Sequence, residues 1–109
     1  MTTKPENLGP AGTALWDELT GTLGFDVHEV ALLGEACRVQ DRLSALDDIV
    51  RAEGVTVDTP HGVRAHPALV EARQQGTVLA RLIASLRIPD EQGDRPQTRG
   101  GARGTYRRN

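Results

Sequence analysis

Residues 66–89, HPALVEARQQGTVLARLIASLRIP, decide the fold, because every local signal in them agrees. Leu69, Ala72, Gly76, Leu79, Ile83 and Leu86 recur at alternating spacings of three and four, which lays one apolar seam along an α-helix. Pro67 sits in the first turn, where its missing N–H has no partner to lose, and Pro89 is expected to stop the helix at about Ile88. Such a seam needs a mate.

The mate lies upstream. Asp26 with Glu29 three residues on reads as an N-cap and its capping-box partner, opening a helix over about residues 27–53 that ends at Gly54. Within it Leu32, Ala36, Val39, Leu43, Leu46 and Val50 repeat at the same spacing, with Leu33 and Cys37 widening the apolar face. Two matching seams predict an antiparallel helical hairpin. Its connector, about 55–65, pairs the β-prone triplets Val55-Thr56-Val57 and Val63-Arg64-Ala65 around an expected turn from Asp58 to Gly62, hence a small β-hairpin at the tip. Before the hairpin, Leu15, Leu19 and Leu23 with Trp16 predict a short helix over about 10–23, with Gly24 ending it in the left-handed conformation. Trp16 is the anchor that docks this helix. Residues 1–8 are polar and expected to be flexible. The fold class is mainly all-α, with one helical oligomerisation domain over 9–90.

The chain has 109 residues and only three aromatic ones, Trp16, Phe25 and Tyr106, so its core must be aliphatic. One cysteine, Cys37, allows no intramolecular disulfide and suits a reducing compartment. No apolar run approaches the roughly 18 residues of a membrane span, and no signal-peptide core opens the chain. A soluble, cytoplasmic protein is expected. The formal charge of -2 hides a division, since all 15 acidic residues precede Arg95. Residues 91–109 are rich in Gly, Pro, Gln and Arg without apolar periodicity, a tail expected to be disordered when unbound.

Catalytic constellations are missing from the pattern. His28, His61 and His66 share no metal-ligand spacing with one another or with Cys37, and surface or capping roles are expected. Cys37 lies on an apolar face and reads as a buried structural thiol. Asp47, Asp48 and Glu53 do not recur as a paired carboxylate set on a second helix, so they read as a solvated face rather than the metal site of a helical nucleotide hydrolase. No catalytic residue, metal or cofactor is predicted. The tail alone points outward: Arg95, Arg99, Arg103, Arg107 and Arg108 among glycines, with Tyr106 able to stack on a base, suit sequence-independent contact with nucleic-acid phosphates. A solubilising tail, or one that docks an acidic protein, has the same composition.

Three stretches taken in order resemble a known family. LGPAGTALWDEL, HEVALLGEACRVQDRLSAL and above all HPALVEARQQGTVLARLIASLRIPD are similar to the small subunit of tailed-phage terminase, in the short form of actinobacterial phages and prophages. The resemblance covers about residues 8–90, and its most specific pattern is His66-Pro67, Leu69, Arg73, Leu79, Leu82, Leu86, Ile88 and Pro89. It implies a non-enzymatic ring of more than two protomers in the host cytoplasm. That ring would recognise viral double-stranded DNA, deliver it to the large terminase subunit and regulate that subunit. Many members carry a helix-turn-helix domain, whereas here only one short helix precedes the long ones. DNA contact would then fall on the ring surface, at Lys4, Arg38, Arg42 and Arg51, or on the tail arginines. Surplus apolar residues beside the seams, Val78 and Leu82 on one helix and Leu33 and Cys37 on the other, are expected to face neighbouring subunits. The alternative is a small helical interaction module, such as an antitoxin-like regulatory dimer with no packaging role.

Overall fold

A computed structural model describes residues 3–89, built as α1 (Pro10–Thr22), α2 (Val27–Glu53), strands β1 (Thr56–Thr59) and β2 (Gly62–Ala65), and α3 (Pro67–Leu86). The chain is mostly helical, with one two-stranded antiparallel sheet. α2 and α3 form the expected antiparallel hairpin: Leu33 near the start of α2 shares a core cluster with Leu86 at the end of α3, while Glu53 and His66 meet at the ribbon end. The 27 residues of α2 make it about 40 Å long at about 1.5 Å per residue.

Local chemistry sets each boundary. Asp26 opens α2 in extended backbone and its N–H donates to Glu29 Oε1 at 2.8 Å, the return half of a capping box. Gly54 closes α2 at φ 93, a conformation that costs glycine little. His66 caps α3: its Nδ1 accepts the Ala68 N–H at 2.9 Å and its Nε2 lies 2.7 Å from Glu53 Oε1. Since Nδ1 accepts, the ring is the Nε2–H tautomer and donates to the carboxylate.

Three boundaries depart from expectation. α1 ends at Thr22 with Leu23 in extended backbone, its N–H donating to the Leu19 carbonyl at 3.0 Å, and Gly24 takes no left-handed conformation. α3 ends at Leu86 because Arg87 turns left-handed, φ 54, two residues before Pro89 could act. The tip turn is tighter than predicted: Asp58 and Thr59 belong to β1, paired with Val63 and Gly62, and only Pro60 and His61 lie between the strands. Pro60 supplies a preset φ and Gly62 takes φ 113, while the Thr59 hydroxyl donates to the Gly62 carbonyl at 2.8 Å.

The core sits at the end of the hairpin away from the ribbon. Trp16, Leu33, Cys37 and Leu86 form its buried centre, and Leu15, Leu19, Phe25, Val30 and Ile83 pack around them. α1 lies against α2 through Trp16, as its apolar pattern predicts. Leu33 and Cys37 are fully covered within this core, so they are not available to a neighbouring subunit, contrary to expectation. Burial pushes the Cys37 thiol up to about 11, with the Asp41 carboxylate adding to the effect. Ahead of α1, Leu8 packs on the same cluster.

The N-terminus of α1 is held by a residue far along the chain. Gly9 is the N-cap and has no side chain to offer; instead Asp41 of α2 accepts from Gly9 N–H and Gly12 N–H, each at 2.7 Å. Gly12 permits this approach, since a Cβ there would stand 2.5 Å from the Cys37 carbonyl oxygen and from Asp41 Oδ2. A carboxylate against a helix start is also favoured by the helix dipole.

Candidate assembly and nucleic-acid surfaces

α1 covers only one end of the α2–α3 groove, and the seam residues divide accordingly. Ala36, Val39 and Leu86 are buried, whereas Leu32, Leu43, Leu46, Val50, Leu69, Ala72, Gly76, Leu79 and Ile83 keep part of their surface. Beyond the start of α1 the groove stays open as a cleft of about 460 Å³, lined by Leu43, Val50, Leu69 and Ala72 with Ala11 and Asp47 among its neighbours. On the opposite side of the helix pair a second depression of about 250 Å³ runs between Ala45 and Leu46 of α2 and Glu71 and Gln75 of α3. Val70 and Val78 on α3 and Ile49 on α2 are exposed beside these openings. The seam thus joins α2 to α3 and still presents apolar surface toward the tip.

Gly76 lies within that stretch. A methyl group built on it meets nothing within 4 Å. A glycine inside a helix costs roughly 0.5–1 kcal/mol relative to alanine. No contact among the described residues requires that cost.

Charge is distributed just as unevenly. The tail arginines Arg95, Arg99, Arg103, Arg107 and Arg108 lie outside the described residues, as does Tyr106. The body residues considered for DNA contact are all engaged by acids: Lys4 with Asp17 at 4.0 Å, Arg38 and Arg42 with Glu35 at 3.5 and 3.4 Å, and Arg51 with Asp47 at 2.8 Å. These pairs are exposed and add little to stability, but they compensate the charges. Two of them follow helical spacings, Glu35 to Arg38 and Asp47 to Arg51, and that signal was available in the linear pattern.

The first turn of α2 brings ligand-type atoms of Asp26, His28 and Glu29 within 4.8 Å of one another. Glu29 is committed to the capping box and the other two side chains are exposed, so the grouping is accounted for as a helix start. Asp47, Asp48 and Glu53 gather no comparable set among the described residues; Asp47 pairs with Arg51 and Glu53 with His66. No described helix is long and apolar enough to cross a membrane.

Neither a protein-family model, nor a curated protein, nor a solved structure matches the chain.

Proposed function

We propose that this chain is the small terminase subunit of a viral genome-packaging motor: a non-enzymatic, ring-forming adaptor that binds double-stranded DNA and delivers it to the large subunit. The resemblance of residues 8–90 supplies the family, and the half-covered α2–α3 seam carries the reading. Within one subunit the groove is filled at its base by α1 and open toward the tip, over Leu43, Val50, Leu69 and Ala72. Apolar surface of this kind is what subunits in a closed ring bury against one another. Gly76, unexplained inside the chain, suits close approach by a neighbouring helix.

The test joins mass to DNA binding. Light scattering on the full chain should give a particle larger than a dimer, and a duplex should be retained with an affinity that falls steeply as salt rises. A stable dimer that ignores DNA at every salt concentration would instead establish the interaction-module reading.

A further inference from the structure

The basic residues of the described chain fall into two groups divided by the ribbon. The four before it, Lys4, Arg38, Arg42 and Arg51, each have a carboxylate within 4.0 Å. The four from the ribbon onward, Arg64, Arg73, Arg81 and Arg87, are exposed and have no such partner among the described residues. The surroundings differ in the same sense. Residues 3–54 hold ten acidic side chains against those four bases, whereas residues 55–89 hold two, Asp58 and Glu71, with Asp90, Glu91 and Asp94 following directly in sequence.

Geometry sets two of these guanidiniums along one flank of α3. Arg73 and Arg81 are separated by about 12 Å along the axis and about 80° around it, at about 1.5 Å and 100° per residue. Gln74 and Thr77 lie between them. Arg87, in its left-handed cap, instead lines a depression with Phe25 and Glu29 beside the start of α2. Glu71 stands about 80° from Arg81 on the flank away from Arg73, where it accepts from Gln75 Nε2 at 2.8 Å and lines the depression facing α2. Arg64 stands on β2, immediately before α3 begins.

We propose that the outward face of α3, with Arg64 of the ribbon, is a sequence-independent docking surface for the phosphate backbone of a nucleic-acid duplex. The inference rests on the DNA-binding reading above and locates the contact on the folded body, in addition to the tail. Charge complementarity selects the occupant: a duplex presents roughly one phosphate per 1.7 Å of its axis, against cations with no carboxylate in salt-bridge range among the described residues. An acidic protein is the poorer fit, because protein interfaces centre on aromatic or large apolar anchors and this face offers only Val70 and Val78. A single strand is poorer too, since residues 55–89 contain no Phe, Tyr or Trp to serve as a stacking platform for bases. The acid-rich α1 and α2 would then be held away from the duplex.

The experiment is fluorescence anisotropy on a labelled 30-base-pair duplex of arbitrary sequence with the full chain. Replacing Arg64, Arg73 and Arg81 together by alanine should weaken binding at least tenfold and flatten the salt dependence by roughly 0.9 in slope per lost phosphate contact. Circular dichroism should remain native, and the three Arg→Lys replacements should keep the wild-type slope. The matching alanine set at Lys4, Arg38, Arg42 and Arg51 should change affinity less than threefold. Wild-type affinity and slope in the first variant would overturn this placement while leaving DNA binding to the tail. Competition by poly-glutamate as effective as by unlabelled duplex would overturn it in favour of an acidic protein. A wild-type chain that binds no duplex would remove the functional reading and this inference together.

Discussion

Asp41→Ala tests the long-range cap that fixes α1. The carboxylate accepts two backbone N–H bonds at 2.7 Å from the first turn of that helix. Charge-assisted bonds of this type contribute about 1.5–3 kcal/mol each when fully shielded, but the site is half-exposed and water recovers part of the loss. Loss of a conventional N-cap costs roughly 0.5–2 kcal/mol, so two donors held by one charge should come to about 2 kcal/mol. Trp16, the sole tryptophan, is 4% exposed on α1, and its emission therefore reports docking of that helix. In a urea titration with m of about 1.5 kcal/mol/M, the midpoint should fall by roughly 1.3 M. Asp41→Asn, which keeps one acceptor, should lose about half as much, and the exposed Asp48→Ala should stay within about 0.5 kcal/mol. An Asp41→Ala midpoint equal to wild type would refute the argument.

Cys37, fully buried with its thiol held up at about 11, should resist alkylation at pH 8 in the native protein and react faster in the Asp41→Ala variant, as α1 undocks. Because the folded state holds this proton more tightly than the unfolded chain, whose thiol titrates near 9.0, stability should decline between pH 9.0 and about 11, by up to about 1.4 kcal/mol per unit, in chemical unfolding at fixed pH. His66→Ala should cost about 1 kcal/mol by removing the α3 cap, with His66→Asn recovering most of it in thermal melts. Gly76→Ala should stabilise the isolated subunit by roughly 0.5–1 kcal/mol through helix propensity and weaken the assembly, read as a lower mass at the same concentration. If mass and stability both rise, no neighbour approaches at that position.

Most of the fold was legible because it is written in short-range signals. The seam spacing from Leu69 to Leu86, the Asp26–Glu29 capping box, Pro67 and Gly54 each act within a turn or two of helix, and each appears where expected. Trp16 as an anchor was legible for the same reason. The Asp41 cap was not, since its partners Gly9 and Gly12 lie 32 and 29 residues away and nothing local marks an aspartate in mid-helix as a cap. The end of α3 was misplaced because Pro89 is a loud local signal and a left-handed arginine a quiet one. Leu33 and Cys37 were assigned to neighbouring subunits because periodicity shows which face is apolar and not which element covers it. The pairing of Arg38 and Arg51 with acids three and four residues away was legible from helical spacing, whereas that of Arg42 with Glu35, seven residues away, was not.

The ribbon bears on how any assembly of this chain would stay finite. A two-stranded sheet has unpaired edges on both sides, and exposed edges recruit further strands without limit. Here each strand is four residues long, Asp58 and Arg64 put a charge on either one, and Pro60 blunts the turn. These features discourage strand-to-strand growth, so subunits that associate are left to do so through their helices, where a closed and countable particle is possible. The ribbon thereby guards against fibres as well as joining the two long helices.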